Sequence, residues 1–144
     1  MRPLAIFASA QAAEEAFYDA MQRGDLSGVM ALWADDEEVV CVHPSGQRLV
    51  GVPAIRASFE EMFTGGGIDV RPSEVRVFMG GMIAVHNLVE KVLVTGKMGS
   101  QVIECVATNV YVKQASGWRL ALHHSNAGGD APVEDLFASP SVLH

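Results

Sequence analysis

The sequence has few cysteines, few basic residues and no long apolar run, and each shortage excludes a class of protein. Two cysteines in 144 residues, Cys41 and Cys105, are too few for a disulfide framework, so we expect a reducing compartment. Ten Lys and Arg against 17 Asp and Glu give a formal net charge of -7, which repels nucleic-acid phosphates and anionic lipid headgroups. We therefore expect neither a nucleic-acid partner nor a membrane partner.

The apolar segments are also too short for insertion into a bilayer. A membrane-spanning helix needs roughly 20 apolar residues, and the richest stretch, 82–94, is interrupted by Glu90 and Lys91. The apolar segment 4–7 is shorter than the roughly 7 to 15 residues of a signal-peptide core. These features predict a soluble, cytoplasmic protein.

The overall composition is typical of one globular domain with a single core. Hydrophobic residues make up 49% of the chain and charged residues 19%. We expect the domain to span 1–144, with the fold itself at about 10–126 and a loop-like tail at 127–144.

Three segments near the start carry the apolar periodicity of amphipathic helices. The first covers about 13–21, the second follows the N-cap residue Asp25, and the third follows Pro53, which suits the first turn of a helix. The stripes consist of Ala13, Ala16, Phe17, Ala20 and Met21, then Leu26, Val29, Met30 and Trp33, then Ile55, Phe59, Met62 and Phe63.

Strand patterns follow the helices. A short β-branched segment lies at 39–43, and four more strands are predicted at 74–79, 82–94, 101–113 and 118–126. Glycine-containing turns join the last four, which predicts an antiparallel meander. The two middle strands are long enough that we expect bends or bulges and a curved sheet. The sequence therefore predicts an α+β domain whose helices cover one face of an antiparallel sheet.

Polar side chains inside these strands are the informative positions. Alternation on the last strand predicts that Leu122, His124 and Asn126 face the interior and that His123 faces away. On the predicted strand at 82–94, His86 and Glu90 are expected on the outer face, opposite Asn87. An imidazole or amide buried without a partner costs roughly 1 to 3 kcal/mol, so inward polar groups either bond to one another or line a wet pocket.

Several motifs resemble a known family. Ala-Leu-Trp-Ala-Asp-Asp at 31–36, Leu-Val-Gly at 49–51 and Gly-Trp-Arg-Leu followed by His-His-Ser within 117–125 resemble the SnoaL-like branch of the nuclear transport factor 2-like superfamily. This superfamily includes ketosteroid isomerases, polyketide cyclases, dehydratases and non-catalytic association or transport modules. The resemblance implies a cone-shaped cup of helices on a strongly curved sheet, and a homodimer formed through the outer sheet face.

The same resemblance assigns residues to roles. His43 falls where ketosteroid isomerases hold a general-base aspartate, and Asn109 falls where they hold a protonated acid. Their hydrogen-bonding tyrosine falls at Phe17, with Tyr18 next to it. The base has changed from carboxylate to imidazole, so the resemblance does not extend to steroid isomerisation itself.

We therefore predict a pocket for a small apolar compound that bears a carbonyl or hydroxyl group. Its predicted catalytic residues are His43, Asn109 and His124, with imidazole as the base because its ordinary pKa, near 6.5, leaves it half-ionised around neutrality. The predicted pocket residues are Phe17, Trp33, Cys41, Asn87, Cys105, Tyr111, Leu122 and Asn126. Isomerisation, cyclisation or dehydration is the predicted chemistry, without a cofactor or a bound metal.

Interpretations without a catalytic role also stay open at this point. The histidines fit a satisfied core pair or a metal site as well as a catalytic one. Trp33 and Trp118 fit packing anchors, and the two cysteines fit small buried hydrophobes. The alternative function is a non-catalytic ligand-binding or association module, because one fold serves many functions.

Overall fold

Three α-helices lie against one six-stranded sheet in the computed structural model, which describes residues 7–44 and 46–127. The helices are α1 (Ala10–Arg23), α2 (Leu26–Ala31) and α3 (Val52–Met62). A single 3-10 turn, Phe63–Gly65, follows α3. The strands are β1 (Val40–Val42), β2 (Arg48–Val50), β3 (Val70–Met79), β4 (Ile83–Gly96), β5 (Gly99–Gln114) and β6 (Gly117–Ala127).

The helix ends follow the capping signals in the sequence. The Ser9 side chain accepts a hydrogen bond from the Ala12 amide at 3.0 Å and begins α1. Gly24 ends that helix in the left-handed conformation, with φ 65, which glycine adopts at little cost. The Asp25 carboxylate then accepts from the Gly28 amide at 3.0 Å and caps α2. The predicted N-cap role of Asp25 is confirmed.

The sheet has the order β2-β1-β6-β5-β4-β3. Strands β3 to β6 form the predicted antiparallel meander. The α+β class is confirmed with one difference: β1 runs parallel to β6, so the sheet is mixed. None of the helices in the described part of the chain is long and apolar enough to cross a membrane.

Two bulges bend the sheet around the helices. In β3 the register shifts between Ser73 and Arg76, and Glu74 there has a φ of 51. In β6, Val110 of β5 pairs with Leu122 while Tyr111 pairs with Leu120, so Ala121 is an extra residue. A bulge increases the local twist and reverses the side-chain phase of the strand beyond it.

The bulge at Ala121 corrects the predicted phase of the last strand. Beyond it, His123 and Ser125 face the helices and are 2% exposed, whereas His124 and Asn126 face outward and are exposed. Leu122 also faces outward and is half-buried. The prediction that Leu122, His124 and Asn126 face the interior is therefore wrong by one residue.

The phase predicted for β4 is also reversed. The inward side chains of β4 are Ala84, His86, Leu88, Glu90 and Val92, and all five are buried. Asn87 faces outward, where its amide donates to Thr108 Oγ1 at 3.1 Å. Of the predicted tail, Ala127 still belongs to β6, and the rest lies outside the described residues.

Candidate functional site

The register of the sheet places a row of polar residues on its inner face. His86 of β4 pairs with Asn109 of β5, and Asn109 pairs with His123 of β6. Two inward positions further along β4, beyond Leu88, Glu90 pairs with Cys105. Because paired residues share a face, the imidazoles, the amide and the carboxyl all point towards α1.

A carboxylate from α1 joins this row. Glu14 lies on the buried stripe of α1, and its side chain is 6% exposed. Its Oε2 is 2.9 Å from His86 Nδ1, accepts from the Tyr111 hydroxyl at 2.9 Å, and accepts from the Asn109 amide at 3.4 Å. A buried carboxyl group needs such partners to offset the loss of water, and Glu14 has three of them.

Asn109 connects this carboxylate to the rest of the interior. Its Nδ2 also donates to the Tyr18 hydroxyl oxygen at 3.0 Å, and its Oδ1 is 2.5 Å from His123 Nδ1. Since Oδ1 can only accept, His123 carries its proton on Nδ1. Asn109 is thus a central, fully buried link between two parts of one hydrogen-bond network.

A second buried carboxyl group, Glu90, lies at the far end of the network. It accepts from the Tyr18 hydroxyl at 2.7 Å and from the Ser125 hydroxyl at 2.5 Å, and His123 Nε2 lies 3.9 Å away. Burial raises the pKa of Glu90, and the hydrogen bonds from Ser125 and Tyr18 oppose that shift.

The predicted base His43 is buried at the end of β1. Its Nε2 lies 3.1 Å from Ser58 Oγ and 3.7 Å from Cys41 Sγ, and its ring packs edge-on against Phe59. Burial, with the neighbouring His123, lowers the pKa of His43 to about 3. His43 is therefore neutral near pH 7, and the half-ionised imidazole on which the prediction depended is absent at this position.

The two cysteines lie on the same side of the sheet as this network. Cys41 and Cys105 are both fully buried free thiols. Burial, aided by the charge of Glu90, raises the pKa of both thiols, to about 11 for Cys105. Neither thiol is suited to act as a nucleophile, because the thiolate is the reactive form.

The aromatic residues predicted for the pocket lie in the core. Phe17 packs edge-on against Tyr18, Phe59 and His123, and Tyr111 packs against His86. Trp33 is 5% exposed, and its indole Nε1 has no hydrogen-bond partner within the described residues.

A cavity of about 440 Å³ opens between the first turns of α1 and strand β3. Its wall consists of Ser9, Ala10, Gln11, Glu14, Glu15, Pro72, Val75, Val77, Met79 and His86. The site that the sequence predicted is not this one, since His43, Asn109 and His124 are absent from the wall. Glu14 and His86 connect the cavity to the buried network.

Each residue of this pair keeps one side-chain atom without a partner in the described residues. His86 Nδ1 and Glu14 Oε2 are hydrogen-bonded to each other. Neither His86 Nε2 nor Glu14 Oε1 has a partner within the described residues. Neither atom is sealed away from solvent, and both residues line the cavity. The cavity therefore ends in a hydrogen-bonded pair of carboxyl and imidazole groups, each with one atom left without a partner in the described residues.

Sequence reasoning missed Glu14 and assigned His86 to the wrong face. One signal was available for His86: Lys91 lies on the same strand face as Asn87, and a lysine is rarely buried without a partner. The described residues contain no group of three or more His, Cys, Asp or Glu side chains arranged to hold a metal ion.

Comparisons with known proteins agree with this architecture. A structure from Thiobacillus denitrificans, provisionally described as a calcium/calmodulin-dependent protein kinase type II association domain, is 31% identical, with a TM-score of 0.78 over 87% of this chain and 99% of its own. A structure from Streptomyces avermitilis, provisionally described as a dehydratase of the NTF2-like family, is 28% identical, with a TM-score of 0.74 over 82% of this chain and 93% of its own.

A third structure shows the fold alone. It is an NTF2-like protein of unknown function from Pseudomonas putida, 20% identical, with a TM-score of 0.70 over 90% of this chain and 92% of its own. Comparison with curated proteins finds no match. The family model of the SnoaL-like domain matches residues 10–127. The chain therefore belongs to the SnoaL-like domain family, within the nuclear transport factor 2-like superfamily.

Proposed function

We propose that this protein binds a small, largely apolar molecule in the cavity between α1 and β3 and transfers a proton on it through His86. The ligand bears a hydroxyl or carbonyl group, and the reaction is an isomerisation, a cyclisation or a dehydration. The observation that carries this proposal is the 2.9 Å contact between His86 Nδ1 and Glu14 Oε2 at the wall of a cavity of about 440 Å³. That volume lies within the range typical of small-molecule sites.

The proposed roles follow from the hydrogen bonds. Glu14 accepts the Nδ1 proton of His86 and so directs the lone pair of Nε2 into the cavity. When Nε2 takes a proton from the ligand, the adjacent carboxylate stabilises the imidazolium that forms, as in other carboxylate-supported imidazole bases. The same Nε2 then returns the proton to a neighbouring carbon or to a departing hydroxyl group.

Two further residues hold the carboxylate in place. Tyr111 and Asn109 both donate to Glu14 Oε2, the oxygen that also contacts His86. They touch Glu14 and not the cavity, so we assign them as positioning residues. In this proposal His86 is the general base, the role that the sequence analysis assigned to His43. Asn109 is a positioning residue.

The proposal can be tested before the natural ligand is known. Small ketones such as cyclohexanone and 1-tetralone are incubated with the protein in D₂O, and exchange of their α-protons is followed by NMR. General-base catalysis typically contributes about 10² to 10⁴ in rate, so His86→Ala should reduce enzyme-dependent exchange at least about 100-fold. The matched control His124→Ala removes an exposed imidazole and should leave the rate unchanged.

The same assay separates the two candidate bases. Unchanged exchange in His86→Ala contradicts the proposal. Loss of exchange in His43→Ala with full activity in His86→Ala would return the role of base to His43.

A second function, self-association, is favoured by the outer face of the sheet. Phe78, Leu93, Val102 and Val106 lie on that face and are 74%, 43%, 59% and 49% exposed. The 31% identical structure from Thiobacillus denitrificans is provisionally described as an association domain. Exposed apolar side chains on one face of a sheet are typical of protein–protein interaction sites, and here the charged pair Lys91 and Glu104 separates Leu93 and Val102 from Val106.

We infer that a second copy of the chain covers this face. Light scattering coupled to size-exclusion chromatography should give an oligomer for the wild type and a smaller species for Val106→Glu. The control Val75→Glu places the same charge on an exposed valine of the cavity wall and should keep the oligomer. A monomeric wild type would contradict self-association.

A further inference from the structure

We propose that the molecule occupying the cavity between α1 and β3 carries a protonated amine on an apolar body. This inference rests on the proposed function, because it concerns the same cavity. It adds a protonated amine to the small apolar ligand with a hydroxyl or carbonyl group proposed above, and it follows from the hydrogen-bonding groups and charges of the cavity wall.

The polar end of the cavity offers acceptors. Glu14 Oε1 is a carboxylate oxygen without a partner in the described residues, and it can only accept. His86 donates through Nδ1 to Glu14, and the neutral form of this imidazole presents a lone pair at Nε2. The carboxylate of Glu15 adds further acceptor positions, with only a 3.5 Å contact from the Gln11 amide. An ammonium group has three donors and no acceptor, which matches this set.

The charges of the wall point to the same group. Glu14 and Glu15 are acidic, and the ten wall residues include neither Lys nor Arg. A ligand carboxylate or phosphate would therefore lie beside like charge without a counter-ion. The whole chain, with a net charge of -7, also attracts cations and repels anions.

The rest of the wall suits the apolar body. Val75, Val77 and Met79 of β3 are 42%, 56% and 57% exposed, and they line the cavity opposite the helix together with Pro72. Ligand burial against these side chains removes apolar surface from water, which is the main source of affinity for such molecules. Apolar surroundings also strengthen the attraction between an ammonium group and the buried carboxylate of Glu14.

Three probes of similar shape test the proposal. We would titrate 1-naphthylmethylamine, 1-naphthylmethanol and 1-naphthoate into the full chain at pH 7.5 and measure Kd by calorimetry. The amine should bind at least about tenfold more tightly than the alcohol, because its hydrogen bonds are charge-assisted, and naphthoate should bind more weakly than the alcohol.

Glu15→Gln tests the charge directly without disturbing the buried pair. Glu15 is exposed, and an exposed ion pair is worth about 0.2 to 1 kcal/mol, which corresponds to a loss of up to about fivefold in amine affinity. The affinity for the alcohol should not change. Glu60→Gln, on the exposed face of α3, removes the same overall charge away from the cavity and should change neither affinity.

The outcomes separate the two proposals. Equal binding of amine and alcohol, tighter binding of naphthoate, or equal effects of Glu15→Gln and Glu60→Gln would overturn the amine proposal and leave the ligand-binding function standing. Binding of none of the three probes would overturn both.

Discussion

Glu14 and His86 form a hydrogen-bonded pair, 2.9 Å apart, between the first helix and the fourth strand. The residues are 72 positions apart in sequence, and their side chains are 6% and 3% exposed. The pair therefore joins the helical layer to the sheet at the wall of the cavity. Removing either partner affects both stability and the proposed chemistry.

Glu14→Gln should lower both the free energy of unfolding and the rate of ketone exchange. The substitution replaces a carboxyl group to which three side chains donate hydrogen bonds. Buried groups left without a partner typically cost about 1 to 3 kcal/mol of stability. We expect the free energy of unfolding to fall by that amount in urea titrations, and ketone exchange in D₂O to fall at least about 100-fold. The neighbouring exposed Glu15→Gln should change the stability by less than about 0.5 kcal/mol. Equal stability of the two variants would show that the network does not support Glu14.

Truncation of the two adjacent histidines of β6 should lower the stability of the fold by very different amounts. His123 is buried and bonded to Asn109, so His123→Ala leaves a cavity and an unpaired amide oxygen, at a cost of about 2 to 4 kcal/mol. His124 is exposed, and His124→Ala should cost less than about 0.5 kcal/mol. Thermal unfolding of both variants measures this difference. The reverse ranking would mean that the bulge at Ala121 does not exist.

Stability should decrease between pH 7 and pH 5. Burial lowers the pKa of His43 and of His123 from 6.5 to about 3, so between these values the unfolded chain binds more protons than the folded one. Each unit below 6.5 is worth about 1.4 kcal/mol per imidazole, or about 4 kcal/mol for both at pH 5. Glu90 opposes this, because its raised pKa lets the folded state take up a proton first.

The net loss at pH 5 is therefore expected to be about 2 to 4 kcal/mol, measured by urea unfolding at the two pH values. His123→Gln removes one of the two imidazoles and should reduce this loss by about 2 kcal/mol. A pH dependence that is the same in wild type and variant would refute the buried, neutral state of His123.

The turn before β3 requires a glycine at position 67. A Cβ on Gly67 would lie 1.9 Å from the Gln22 carbonyl oxygen at the end of α1, a contact that only a backbone shift can relieve. Gly67→Ala should therefore destabilise the fold by about 2 kcal/mol or more, because packed interiors resist added volume. Gly81→Ala meets nothing within 4 Å and is the matched control, expected within about 0.5 kcal/mol of wild type. Similar melting temperatures for the two variants would argue against this close approach.

The sequence predicted the elements better than the directions of their side chains. Helix stripes, caps and glycine turns are local signals, and α1, α2, α3 and the meander lie where these signals indicate. Strand phase is not local. In β4, apolar residues occur on both faces, with Leu88 inside and Val89 outside, so alternation alone could not orient the strand.

The site was harder to predict for the same reason. The bulge in β6 lies at Ala121, a residue without any special backbone preference, and it exchanges His124 for His123 in the interior. Glu14 follows Ala13 on α1 and resembles an ordinary surface charge in sequence. Only the tertiary donors His86, Tyr111 and Asn109 explain why a carboxylate is buried there.

The central claim is that Glu14 holds the imidazole of His86 with its Nε2 lone pair open to the cavity. Nitrogen NMR of ¹⁵N-histidine-labelled protein at pH 8, with His86→Gln to assign the signal, tests it most directly. We predict a His86 ring protonated on Nδ1 and unprotonated on Nε2, whose Nε2 resonance shifts when 1-naphthylmethanol is added and loses its tautomer preference in Glu14→Gln. A ring protonated on Nε2, or an Nε2 signal that ignores the probe, would contradict the account.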